Sequence, residues 1–148
     1  MSNQSHFRKL ENMYLSAPMN QLYEPRLTIA EGTAEIVIPV KEIHFHAAGA
    51  VHGAVYFKLM DDSAFFAANS LVEDVFVLTT SFNLHLLRPV SSGEMRAVGK
   101  VVHQSRSQII AESVVYDSAG RQISRGSGTF VRGREALSPD IGYKLKHG

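Results

Sequence analysis

The residues best placed to do chemistry lie in one segment, His52-Gly53-Ala54-Val55-Tyr56-Phe57-Lys58-Leu59-Met60-Asp61-Asp62-Ser63-Ala64-Phe65-Phe66-Ala67-Ala68-Asn69. Two carboxylates, Asp61 and Asp62, stand among phenylalanines and alanines, where a charge is costly unless it is paired or used. A carboxylate withdrawn from water has a raised pKa and is a stronger base or nucleophile than one in bulk solvent. At helical spacing Lys58 can reach Asp62 at i,i+4 and Asp61 at i,i+3. Asp61 also has Phe57, Ala64, Phe65 and Ala68 on its own face, so Asp61 is expected to be the more enclosed acid and Asp62 the more solvated one. The alternative is that both acids pair with basic groups and hold an interface together. His52 and Gly53 open the segment, where the first N–H groups of a helix have no internal acceptor and can bind an electron-rich oxygen.

Three histidines, His44, His46 and His52, crowd the approach to this segment. A zinc ion held by His44 and His46, with Asp61 as third ligand, is one arrangement to test. The spacing matches no recognised metal signature, and the expectation is that no metal is bound. There is no cysteine, which excludes a thiol nucleophile, a thiolate metal site and a disulfide framework.

The segment that carries these groups is expected to be one long helix. Ala, Leu, Met and Lys favour helix, no proline interrupts, and the run is too long for a typical strand. Apolar side chains lie on nearly every face, so the helix must be wrapped rather than laid on a surface. Ala64, Ala67 and Ala68 allow a neighbouring element to come close.

The rest of the chain supplies the wrapping. Phe7, Leu10, Met13 and Tyr14 fit a short amphipathic helix within residues 6–23, ended by Pro18, that flanks or lids the core. Residues 27–40 read as one half-buried strand with Ala34, Ile36, Ile38 and Val40 on a face, and residues 41–51 as a loop into the long helix. Residues 75–87 alternate clearly: Phe76, Leu78, Thr80, Phe82, Leu84 and Leu86 on one face, Thr79, Ser81, Asn83 and His85 on the other. The first set is expected to cover the helix. Strands follow over 94–104, 108–117 and 121–132, with a hairpin turn at Asp117-Ser118-Ala119-Gly120, giving four strands in meander. Gly126 and Gly128 imply that another group passes close to the last strand. Residues 133–148 show little pattern. The divisions are therefore a flank over 1–26, a core domain over 27–132 and a tail over 133–148, the whole an α+β chain with an antiparallel sheet curled around one central helix.

A chain of 148 residues is one domain with room for a sizeable core. A net charge of +1 gives no reason to expect nucleic acid or an anionic membrane as partner. No apolar run is long enough to span a bilayer and the polar N-terminus is not a signal peptide, so a cytoplasmic location is expected.

The order and spacing of several pieces carry a resemblance. His52-Gly53-Ala54, then Leu59, Asp61, Ala64 and Asn69, followed by Phe82-Asn83-Leu84, Arg88-Pro89, Gly93 and the closing Gly126-Ser127-Gly128-Thr129-Phe130, resemble the hotdog-fold acyl-CoA thioesterases of the phenylacetate-degradation (PaaI-like) type over roughly residues 30–132. The resemblance implies a hotdog fold, a homodimer often paired into a tetramer, and active sites at the dimer interface. It implies hydrolysis of an acyl-CoA thioester to a carboxylic acid and coenzyme A, with coenzyme A as part of the substrate and no separate cofactor. Asp61 aligns with the family's catalytic acid, acting as general base or nucleophile. The Gly53 N–H would bind the developing oxyanion, with His52 orienting that loop. Thr79 matches a Ser/Thr position that holds water; because it alternates with Phe82, it is expected to serve a site across the interface. His46 stands where the family often has Asn or Gln, Ala54 replaces the second glycine of His-Gly-Gly, and Asp62 replaces a position that is commonly neutral. Asp62 is carried as a substrate-side residue, with Arg88, Arg106 and Arg125 as candidates for the coenzyme A phosphates. The alternatives are a hotdog hydratase or dehydratase, whose usual histidine after the acid is missing until His85, and a non-catalytic acyl-CoA binder.

Overall fold

Each helix begins and ends where side-chain chemistry requires. Asn3 caps α1 (Gln4–Ser16), its side chain accepting from the His6 N–H at 3.4 Å. Phe7, Leu10, Met13 and Tyr14 are buried along one face of α1, as their spacing requires. Pro18 keeps the preceding Ala17 extended (ψ 129°), which ends α1, and then opens the short α2 (Pro18–Gln21). The computed structural model describes residues 3–146.

The stretch expected as one strand over 27–40 is a hairpin: β1 (Arg26–Ala30) and β2 (Thr33–Pro39) pair antiparallel, with Ala30 opposite Thr33. Glu31 and Gly32 make the turn, and Gly32 has φ 73°, a conformation that costs glycine least. The long helix α3 (Gly53–Asn69) follows, capped by His52. Eleven of its residues are buried, from Val55 to Asn69, spread around the helix. Then come β3 (Val75–Leu86), β4 (Glu94–Gln104), β5 (Ile109–Tyr116) and β6 (Gln122–Ala136).

The six strands form one antiparallel sheet in the order β1-β2-β4-β5-β6-β3. The expected four-strand meander is therefore only partly right. β4, β5 and β6 are consecutive neighbours, but β3 lies at the far edge against β6, and β2 occupies the place beside β4. The glycines of β6 accommodate this: a Cβ on Gly128 would meet the Phe82 ring of β3 at 2.5 Å, and one on Gly126 would meet Leu84. Curled around α3, the sheet makes the hotdog arrangement. The helix comes so close that the backbone of Ser63 lies against Gly99 of β4, where no side chain would fit.

The last strand runs on to Ala136, past the boundary expected at 132, and Leu137, Ile141 and Tyr143 pack on the core. Tyr143 is held by His6, whose Nδ1 lies 2.6 Å from the phenol oxygen while Nε2 meets the Asn69 carbonyl at 2.9 Å. Residues 1, 2, 147 and 148, at the ends of the expected flank and tail, lie outside the described residues. Among the described residues no helix is long and apolar enough to cross a membrane.

Candidate active site

Asp61 points from the middle of α3 into an apolar cavity of about 680 Å³, whose walls include Tyr14, Phe65, Phe66, Phe76, Val77 and Thr79. Its Oδ1 accepts a hydrogen bond from the Thr79 hydroxyl at 2.8 Å. Burial pushes the Asp61 carboxyl above its ordinary range; the Thr79 bond and the Lys58 charge pull it down, and the Asp62 charge pushes it up.

Thr79 thus serves the acid of its own chain, contrary to the expectation that it faces away. The alternation of β3 breaks between Thr79 and Ser81, where the register against β6 shifts. An extra residue in a strand reverses which side the following residues face. Val77 and Thr79 therefore point inward before the break, Phe82 points inward after it and meets Phe57 edge-on, and Leu78 is left half exposed. Asn69 sets the path into β3. Its side chain, fully buried, donates to the carbonyls of Val72 and Val75 and accepts from the Val77 N–H.

Asp62, expected as the more solvated of the two acids, is itself half-buried and paired. Its side chain is 18% exposed, and its Oδ2 accepts from Lys58 Nζ at 2.9 Å and from the Tyr14 hydroxyl at 2.8 Å. Lys58 also donates to Asn20 Oδ1 at 2.6 Å and lies over the rings of Tyr14 and Tyr23. Lys58 is thereby committed to Asp62 and the N-terminal helices, and among the described residues Asp61 has no direct cation partner.

At the mouth of α3, His52 Nδ1 accepts from the Ala54 N–H at 2.9 Å, and the His52 carbonyl accepts from Val55. The Gly53 N–H is left without an acceptor among the described residues. His46 Nδ1 accepts from the Ala48 N–H, and the His46 and His52 rings sit 6.4 Å apart. An Nδ1 that accepts places the proton of a neutral imidazole on Nε2, so both exposed rings present donors to solvent. His44 is buried, stacks on Tyr23 and accepts from the Lys41 N–H; burial lowers its pKa, and the Lys41 charge lowers it further. Among the described residues no three metal-ligating side chains converge, and Asp61 is not brought to His44 and His46.

Gly53 and Asp61 are not brought together within one chain. They are two turns apart on one helix, a rise of about 12 Å. The arginines are scattered as well. Arg88 is exposed beyond β3, Arg106 lines a separate cavity of about 550 Å³ at the β4–β5 turn with Arg132, and Arg125 reaches Gln122 on the exposed side of β6.

Residues 48–124, about half of the chain, match the family model described as Thioesterase superfamily. The chain belongs to the thioesterase superfamily. Two archaeal relatives are named "Putative esterase": one from Archaeoglobus fulgidus is 28% identical over 134 residues, covering 89% of this chain and 86% of its own, and one from Thermoplasma volcanium is 25% identical over 108 residues, covering 73% and 80%. Among solved structures, the Escherichia coli PaaI protein of the phenylacetic acid degradation operon superposes with a TM-score of 0.83 at 17% identity, covering 91% of this chain and 98% of that one. A thioesterase family protein from Silicibacter pomeroyi gives 0.77 at 24%, covering 85% and 98%. At these identities the two structures speak to the fold alone.

Within this superfamily member, sequence reasoning gave the N-terminal helix as a flank or lid but missed the polar contacts that α1 and α2 make with α3. Tyr14 and Asn20 are both buried; Tyr14 reaches Asp62, and Asn20 reaches Lys58 one turn before it. The available signal was a tyrosine on the apolar stripe of α1, which needs a hydroxyl partner when buried. Asn69 carried a comparable signal, as an amide at the end of an apolar helix.

Proposed function

We propose that the protein hydrolyses an acyl-CoA thioester to a carboxylic acid and coenzyme A, in sites that each combine two copies of the chain. The observation that supports this best is Asp61: a carboxyl withdrawn from water, hydrogen-bonded to Thr79 and, among the described residues, free of a direct cation partner, in an apolar cavity large enough for an acyl group. Asp61 takes a proton from water as the water oxygen adds to the thioester carbonyl carbon, or adds to that carbon itself. The negative charge then on the carbonyl oxygen is met by a Gly53 N–H. The C–S bond breaks, coenzyme A leaves as thiolate and is protonated, and the acid is released; in the covalent variant water first opens the mixed anhydride.

One chain cannot supply both groups to one carbonyl, because an oxyanion donor must lie about 3 Å from the oxygen while the attacking atom reaches the carbon bonded to it. The Gly53 end of α3 in one copy must therefore lie beside Asp61 of another, which supports a homodimer with interfacial sites; pairing of dimers into a tetramer is part of the same proposal. β3 offers a place for the contact. It is an edge strand of 12 residues with half-exposed Leu78 and Leu86, the kind of edge that pairs unless it is protected. Arg88, Arg106 and Arg125 are the proposed cations for the coenzyme A phosphates, with His46 and His52 presenting Nε2 donors at the mouth. No histidine follows Asp61 on α3, which favours hydrolysis over hydration or dehydration.

The test is coenzyme A release from short, medium, long and aromatic acyl-CoAs. The chain has no cysteine, so a thiol reagent reports coenzyme A alone. Turnover is expected from the wild type, with a loss of at least about a hundredfold in folded Asp61→Asn. No turnover of any thioester would move the reading to a binder, and full activity in Asp61→Asn would remove the named base.

A further inference from the structure

The N-terminal helices lie outside residues 48–124, the part matched by the family, yet they form one side of the Asp61 cavity. Met13, Tyr14, Ala17 and Asn20 line it together with Phe65 and Phe76. Four polar contacts fasten this side to α3 and to itself. Tyr14 donates to Asp62 Oδ2 at 2.8 Å, Lys58 bridges Asp62 and Asn20 at 2.9 and 2.6 Å, and Asn20 Nδ2 donates to the Tyr14 carbonyl at 2.9 Å. Lys58 also sits 5.6 and 5.3 Å above the Tyr14 and Tyr23 rings. Tyr14 is 4% exposed and Asn20 8%. Partly desolvated, a lysine and an aspartate hold each other and their neutral donors and acceptors more firmly than surface pairs do, because any lost partner leaves a charge unsatisfied.

We propose that Tyr14 and Asn20 are specificity residues, which with the Lys58–Asp62 pair fix α1 and α2 as the far wall of the acyl pocket and so select bulky apolar acyl groups over acetyl. This rests on the thioesterase reading and gives it a substrate class. Asp62 is then a positioning residue that acts through Tyr14 and Lys58. An acetyl group does not extend far from the carbonyl at Asp61 and gains nothing from the wall. A medium-chain or aromatic acyl group lies against Met13, Tyr14 and Phe65, and its binding depends on the wall staying in place.

Tyr14→Phe keeps the ring, which packs edge-on against Phe66, and removes only the bond to Asp62. Asn20→Ala removes the bonds to Lys58 and to the Tyr14 carbonyl. In each variant kcat/KM for octanoyl-CoA is expected to fall about tenfold, mostly through KM, while acetyl-CoA hydrolysis stays within about twofold of wild type. Hydrogen exchange should show lost protection along Phe7–Tyr14. An unchanged octanoyl-to-acetyl ratio in both variants overturns the proposal, as does an equal loss on both substrates, which is what a purely structural role would give. Failure of the wild type to hydrolyse either thioester defeats the thioesterase reading alone. The same ratio is then read as binding constants for octanoyl-CoA and acetyl-CoA by calorimetry, with a tenfold fall upholding the wall and an unchanged ratio overturning it.

Discussion

At the scale of single residues, Asp61 is a carboxylate whose usefulness and cost have one origin. Burial raises its pKa, so a reaction that needs the ionised form is lost as pH falls through that raised value. Thr79 opposes the shift by donating to the ionised form. Thr79→Val is therefore expected to move the acid limb of the pH–rate profile to higher pH, as a kcat/KM profile would show. The same sign governs stability. With a folded pKa above the unfolded one, Asp61 contributes stability that is present at low pH and is lost as pH rises through the folded value. Asp61→Asn should then raise the thermal midpoint at neutral pH while it removes activity, the exchange common at functional sites. The enclosed character of Asp61 was visible in its helical neighbours. The Lys58 partner of Asp62 was visible in the same way, but its second partner was not, because Tyr14 lies 48 residues away and only the fold brings the two together.

At the scale of elements, α3 was readable because it is apolar all round and free of proline, a pattern only a wrapped helix satisfies. The Ser63 backbone of α3 lies directly against Gly99 of β4. Gly99→Ala places a methyl group into backbone that cannot swing aside, and is expected to cost about 1–3 kcal/mol or more in denaturant unfolding. The β1–β2 hairpin was hidden because Glu31-Gly32 falls inside a weakly alternating run and Glu-Gly is a poorer turn signal than Asn-Gly. The break in β3 left no mark at all. Thr79, Thr80 and Ser81 are ordinary strand residues, and the shift arises from pairing with β6, a relation between strands that no single strand records.

At the scale of the whole molecule, the separation of Gly53 from Asp61 along one helix makes assembly part of the chemistry. Gly53 is the first residue of α3, a position that suits proline, and His52 before it is extended (ψ 143°), as a residue preceding proline must be. Gly53→Pro removes the N–H at a position proline suits, and a Cβ there meets only the tip of Leu86, the far end of a flexible side chain. Gly53→Pro and Asp61→Asn should each be nearly inactive alone. After subunit exchange the mixture should regain about a quarter of the wild-type rate, since half of randomly paired dimers are mixed and each carries one intact site. Assays of the separate and mixed proteins check this; no recovery despite demonstrated exchange would mean that the two groups do not meet across an interface.

The position of β3 at the sheet edge bears on how the molecule comes into being. β1 finds β2 through a two-residue turn, and β4, β5 and β6 find one another through short ones, but β3 pairs only with β6, well over thirty residues further along the chain. Pairings that close long loops form late. During synthesis, α3 and β3 emerge before the strand that fixes β3 exists, so Thr79 has no fixed place opposite Asp61 until Gln122–Ala136 has followed. A growing chain on the ribosome therefore carries Asp61 before Thr79 is fixed opposite it, and that side of the cavity closes only once β6 has emerged.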